Sequence, residues 1–171
     1  MEDAKRPLEG IKVLEMATFI AVPAVGRILA DLGAEVVKIE SAKGDNLRFT
    51  APNEGRPSDP YEDINFDLEN SGKKGIVVDL RTDKGREILF KLLDDTDVFL
   101  TNWRPQALAR KNLTYEDLKG RYPSLVYASL TGYGEKGPDK DLPGFDYTAF
   151  FARSGWSGSL YQKGTVPSNL I

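Results

Sequence analysis

Three short stretches of this chain carry the side chains best suited to binding or chemistry. Thr101-Asn102-Trp103-Arg104-Pro105, followed by Gln106-Ala107-Leu108-Ala109-Arg110-Lys111, sets a short polar amide among cations. Asn102 with Arg104, Arg110 and Lys111 suits a phosphate or carboxylate ligand, because guanidinium and ammonium groups form charge-assisted hydrogen bonds to such oxygens. The competing reading has Asn102 cap the next helix while the cations stand in solvent. Met16-Ala17-Thr18-Phe19-Ile20-Ala21-Val22-Pro23 joins small residues to a proline-initiated helix, whose first N–H groups either meet an anion or belong to a plain strand–helix connection. It is not G-x-G-x-x-G, which argues against a dinucleotide held in the usual way. Ser129-Leu130-Thr131-Gly132-Tyr133-Gly134 frames an aromatic between glycines, giving either a close backbone approach to a ligand or a turn around a buried tyrosine. Asp139, Asp141 and Asp146 follow, and a loop Asp is far more often a turn residue or cap than a nucleophile. Trp156 and Tyr161 mark either a partner surface or simple packing.

The residue types that are missing narrow the chemistry. There is no His and no Cys, so within these residues Ser-His-Asp and Cys-His triads, thiolate nucleophiles, Cys/His zinc sites and iron–sulfur clusters are excluded. With 23 Lys+Arg against 26 Asp+Glu, the net charge of −3 is spread over both signs and argues against a sequence-independent grip on nucleic acid. No apolar run reaches the roughly 18–20 residues that span a bilayer, and no apolar segment follows Met1–Pro7 as in an export signal. Neither nucleic acid nor membrane is expected as a partner, and cytoplasm is the default location.

The elements that must position these stretches follow from periodicity. β-branched runs at Ile11–Glu15, Ala34–Glu40, Gly75–Asp79, Asp97–Thr101 and Ser124–Leu130 predict five strands. Between them, Pro23 opens a helix with Val25, Ile28, Leu29 and Leu32 as its apolar face, ended by Gly33. Thr82 to Asp94 predicts another, with Ile88, Leu89, Leu92 and Leu93 on one face. Short helices are expected after Pro105 and after Thr114, where Thr114 and Asp117 have capping-box spacing, and another over Asp146–Arg153. Ser41 to about Asn70 reads as a polar, irregular segment, long for a structureless loop. Strands alternating with helices predict an α/β fold, a parallel sheet with helices on both faces, whose ligands sit at the carboxyl ends of the strands. At roughly 100–200 residues per domain, 171 residues suffice for one domain with a real core.

In these loops the sequence resembles the class III CoA-transferases, the family that also includes formyl-CoA and carnitine CoA-transferases and the 2-methylacyl-CoA racemases. The likeness runs from about Leu8 to Ile171. It rests on Leu8–Glu15, Asp31–Glu40 with Gly44-Asp45, Asn102-Trp103-Arg104-Pro105, and Gly132-Tyr133-Gly134 with Pro143-Gly144-Phe145-Asp146-Tyr147, all in order. Within the family it is most similar to transferases of (R)-2-hydroxyacyl groups, such as 2-hydroxyisocaproate CoA-transferases.

The resemblance implies a Rossmann-like domain within an interlocked homodimer. Residues 1–145 would be the N-terminal part of the large CoA-binding domain, and 146–171 the start of the segment leading to the catalytic Asp and a small domain. It implies acyl-CoA and a carboxylic acid as substrates, with no permanently bound cofactor and no metal. Thr18, Phe19, Ile20 and Ala21 would line the thioester and pantetheine end. Asn102 and Arg110 would contact the CoA, Arg110 at its phosphates, while Val78, Thr131 and Tyr133 would border its adenine or pantetheine portions. Ile20 stands where formyl-CoA transferase has a Gln, and Ser41 where it has a CoA-binding Arg. The family's transferases use an Asp nucleophile in a Gly-Asp motif, which counting from Phe145 places just after Ile171. No catalytic residue is therefore expected within the chain, which would end before its nucleophile and be inactive alone. Phe145 stands where the racemases have a basic His, which disfavours racemisation. A standalone, non-catalytic CoA- or nucleotide-binding module is the alternative. A flavodoxin-like receiver is a weaker one, because the ends of strands one and three carry no acid cluster.

Overall fold

The structure, a computed structural model, describes residues 5–53, 55, 56, 63–159 and 164. Tyr161 and 165–169, part of the loop-like tail, lie outside them. Five strands form one parallel sheet: β1 (Lys12–Met16), β2 (Glu35–Glu40), β3 (Lys74–Val77), β4 (Val98–Thr101) and β5 (Val126–Ser129), in the order β3-β2-β1-β4-β5. Each lies within a residue or two of the stretch its β-branched run predicts, the usual scatter of element ends.

The inner strands are buried on both faces, as a parallel sheet requires. Leu14 and Met16 of β1 join Ile39, Phe99, Leu89 and Leu93 in one core, while Val13 and Ala17 join Val36, Leu100, Val22 and Ala30 in the other. The first core is closed by α4 (Asp83–Leu93), α5 (Pro105–Ala109) and α6 (Tyr115–Leu118), and the second by α1 (Ala21–Asp31). Local capping sets α4 and α6. Thr82 accepts the Gly85 N–H at 3.0 Å, and Thr114 and Asp117 form the reciprocal box that their spacing predicts.

Two expectations are corrected. The first concerns α1. The helix begins at Ala21, so Pro23 is its third residue, a position whose N–H is not needed by the helix. Its buried face is Val22, Pro23, Gly26 and Ala30; of the predicted face, Leu29 is partly buried against the same core, whereas Val25, Ile28 and Leu32 are 42, 58 and 40% exposed. The reason lies beneath the helix. A Cβ at Gly26 would stand 1.9 Å from Glu15 Oε2, so only the small-residue face can lie down on the sheet over that carboxylate. The second concerns Ser41–Asn70, which holds a 3₁₀ turn at Asn46–Phe49, a short α2 (Thr50–Asn53) and α3 (Ile64–Asn70). Asp45 and Asp63 start two of them by accepting the N–H groups of Leu47 and Phe66, each at 3.0 Å. Asp146–Ala152 is a π-helical turn followed by α7 (Trp156–Ser159). Among the described residues no helix is long and apolar enough to cross a membrane.

Candidate functional site

From β1 the chain moves to β2 on one side, while β4 lies on the other, so the carboxyl ends of β1 and β4 flank the topological switch point. The register Met16↔Thr101 brings the two ends level. The buried Thr101 hydroxyl donates to the Met16 carbonyl at 2.9 Å and accepts the Trp103 N–H at 3.1 Å. Asn102 continues the ladder with its side chain. Its Nδ2 donates to the Thr18 carbonyl at 2.7 Å, and its Oδ1 accepts the Thr18 N–H at 3.1 Å. Asn102 thus does not cap α5, whose N-cap is Arg104 without any side-chain bond.

Phe19, next along, has φ +63°, a left-handed backbone that is uncommon for a non-glycine residue. Its N–H donates to Asp45 Oδ1 at 3.0 Å, and its ring meets Phe145 edge-on with centroids 5.8 Å apart. Phe145 is carried by a turn whose Gly144 touches Gly132 of the loop after β5. A Cβ on either glycine would lie 2.3 Å from the other's Cα. These contacts enclose a cavity of 480 Å³ bordered by Thr18, Phe19, Ala21, Asn102, Arg104 and Thr131, with Asp146 and Phe150 across from the strand ends.

A second cavity, of 240 Å³, opens at the ends of β2 and β3. Ile39, Val78, Leu80 and Trp103 form its apolar wall, and Lys43, Arg81 and Lys111 outnumber the carboxylates of Glu40 and Asp79 around it. Arg81 holds the Asp79 carboxyl down to about 2 through side-chain and backbone hydrogen bonds, and Lys111 Nζ donates to the Leu80 carbonyl at 3.0 Å. Trp103 borders this cavity while Asn102 and Arg104 border the first, so one tripeptide divides the crevice.

The structure therefore gathers Thr18, Phe19, Ala21, Asn102 and Thr131 at one cavity and Val78 at the other. Three expected residues border neither. Ile20 is 56% exposed at the α1 N-cap, Arg110 is exposed at the end of α5, and Tyr133 is half-buried with the Arg153 guanidinium 5.4 Å over its ring. Sequence reasoning missed Lys43, Arg81 and Trp103 as cavity residues, and also the buried charges Glu15, Lys38 and Asp45. The last had a signal: Glu15 and Lys38 are opposite charges at inward positions of strands otherwise apolar there.

Fold and site together define a doubly wound α/β domain with its crevice at the β1/β4 switch point. The family model described as CoA-transferase family III matches residues 8–169, and the chain belongs to that family. It is 60% identical over 171 residues to the cinnamoyl-CoA:phenyllactate CoA-transferase of Clostridium sporogenes, covering 100% of this chain and 42% of that protein. To the (R)-2-hydroxy-4-methylpentanoate CoA-transferase of Clostridioides difficile it is 48% identical over 162 residues, 95% of this chain and 41% of that protein. The crystal structure of a CAIB/BAIF family protein from Brucella suis superposes with a TM-score of 0.83 at 36% identity, covering 98% of this chain and 44% of that one. The chain thus spans 41–42% of the length of these two curated relatives.

Proposed function

We propose that this chain is the CoA-binding part of an enzyme that moves CoA from a thioester to a free carboxylic acid, with 2-hydroxy acids as the acyl class. The observation that carries the reading is the division of one crevice by Asn102-Trp103-Arg104 into a smaller, apolar-walled cavity bordered by Lys43, Arg81 and Lys111 and a larger one bordered by the Thr18–Phe19 loop, Asn102, Thr131 and Phe145. Coenzyme A is divided in the same way, into an adenine end with phosphates and a neutral arm ending in the thiol. The adenine would lie against Val78 and Trp103, with phosphates near Lys43, Arg81 and Lys111 and with Arg110 next in the chain. The arm would pass Asn102 and Thr131 to the loop Thr18–Ala21, with Ile20 and Tyr133 outside the first contacts. The acyl class rests on the relatives named for phenyllactate and (R)-2-hydroxy-4-methylpentanoate.

In the chemistry we propose, an Asp carboxylate beyond residue 171 attacks the thioester carbonyl, forming an anhydride and expelling CoA thiolate. The thiolate attacks the aspartyl carbonyl of that anhydride, releasing the first acid as its carboxylate and leaving an aspartyl-CoA thioester. The incoming carboxylate attacks this thioester to form a new anhydride and thiolate, and thiolate attack on the new acyl carbonyl yields acyl-CoA and restores the Asp. What the present residues contribute is placement and stabilisation of negative charge. Helix α1 starts without a side-chain cap beside the cavity, so its first N–H groups suit a developing oxyanion. Phe145 packs against Phe19 and offers no base, consistent with acyl transfer rather than racemisation.

The interlocked homodimer, with residues 1–145 in the large domain and 146–171 leading onward, belongs to the same proposal. Exposed Val25, Ile28 and Leu32 on α1, and Phe145, Tyr147 and Phe150 around the π-helical turn, support a covered surface there. Titration calorimetry with CoA tests the binding. Heat that weakens about tenfold in Lys43→Glu and Lys111→Glu is expected, because each change turns attraction for phosphate into repulsion. No heat at millimolar CoA overturns the reading.

A further inference from the structure

Beneath the Thr18–Ala21 loop lie four charged side chains that the binding reading does not use. Glu15 and Lys38 face one another in the β1–β2 pair, with Lys38 Nζ 3.0 Å from Glu15 Oε1 and 3.0 Å from Asp45 Oδ2. Lys73 Nζ stands 2.7 Å from Glu15 Oε2. All four side chains are 0–2% exposed, and their charges cancel. Stability alone is a poor account of such a group. Desolvation offsets most of the attraction between buried ions, and apolar replacements of similar volume are often as stable.

What sets the group apart is the backbone it holds. Lys38 Nζ donates to the Ala17 carbonyl at 2.9 Å, Asp45 Oδ1 accepts the Phe19 N–H at 3.0 Å, and Lys73 Nζ donates to the Pro23 carbonyl at 2.8 Å. Each of these three residues grips one backbone group of the segment from Ala17 to Pro23, and Glu15 links the two lysines. The grip is extended outward, where Glu40 Oε2 accepts the Asp45 N–H at 2.9 Å and is itself paired with Arg48. Phe19 sits in the middle with its left-handed backbone, a conformation that persists only where the surroundings over-determine it.

We infer that the Lys73–Glu15–Lys38–Asp45 network is a positioning device that fixes the backbone of the Ala17–Pro23 segment, and with it the wall of the larger cavity. The consequence for acyl-CoA rests on the function proposed above; the consequence for the loop does not. These are positioning residues, acting through Ala17, Phe19 and Pro23.

Amide hydrogen exchange by NMR tests the inference directly. In Asp45→Ala the Phe19 amide is expected to exchange about tenfold faster relative to the sheet amide of Leu14, and Asp45→Asn, which keeps an oxygen for that N–H but sets its NH2 against the Lys38 ammonium, to restore part of the protection. Should Asp45→Ala not fold, the charge-balanced pair Lys38→Met with Asp45→Ala, which leaves Glu15 with Lys73, carries the same expectation. Phe19 and Leu14 accelerating by one common factor in these variants, as in a uniform loosening, overturns the inference. Calorimetry with CoA supplies the second arm: affinity lost in Asp45→Ala and recovered in part in Asp45→Asn is expected. Affinity unchanged over a loosened loop overturns the link to the site. Wild-type protein without CoA binding counts against the proposed function, and the exchange result then decides the positioning role by itself.

Discussion

Asn102 grips Thr18 at both of its backbone groups, 84 positions away in the chain, donating to the carbonyl at 2.7 Å and accepting the N–H at 3.1 Å. The amide is matched to this task because it offers a donor and an acceptor side by side. Asn102→Asp keeps the acceptor but sets a carboxylate oxygen against the Thr18 carbonyl. We expect a loss of about 1–3 kcal/mol in urea denaturation at pH 7, the cost of a broken, partly buried hydrogen bond. Stability equal to wild type would show that Thr18 is held by other means.

Gly26 should behave against its helix propensity. Alanine in an exposed helix interior is favoured over glycine by about 1 kcal/mol. Here the new Cβ would stand 1.9 Å from Glu15 Oε2. Gly26→Ala is expected to destabilise by about 1–3 kcal/mol, as overpacking of a filled interior does. A raised midpoint of thermal unfolding would show that α1 can lift off the sheet at little cost.

Glu40 makes stability depend on pH in a definite direction. Burial by itself pushes its carboxyl upward, but the Arg48 guanidinium and the Asp45 N–H outweigh this and hold it below the ordinary value of 4.5. A carboxyl lowered in the folded state contributes stability that is present above its unfolded value and lost as pH falls through the folded one. Urea denaturation at pH 7 and pH 3 should therefore show a larger loss for wild type than for Glu40→Gln. Equal losses would remove Glu40 from the acid sensitivity of the fold.

Much of this architecture was legible in the residues. The strands show as β-branched runs, and the caps at Thr82 and the Thr114–Asp117 box show as spacing, because strand pleat and helix start are local physics. The signature stretches likewise placed the chain in its family before any geometry was known. Ser41–Asn70 was less legible. Its polar composition hides helices begun by the Asp45 and Asp63 side chains, each using an acceptor that a loop would also use.

Other features were decided by contacts between distant residues. Periodicity assigns α1 an apolar face of Val25, Ile28, Leu29 and Leu32, yet of these only Leu29 packs partly against the core and the other three turn outward, because the carboxylate of Glu15 under Gly26 admits only small side chains. Asn102 could be a ligand contact, a cap or a clasp on its own evidence, and the approach of Thr18 across the β1/β4 switch point selects the clasp. By itself the sequence determined the strands and the caps, whose causes lie within a few residues of one another, and the family, whose signature stretches are each local and follow in order along the chain. Only the tertiary structure decided which face of α1 is buried, where Asn102 spends its hydrogen bonds, and that charges at positions 15, 38, 45 and 73 meet. A buried charge takes its partners from whatever folding brings within reach, not from its neighbours in the chain.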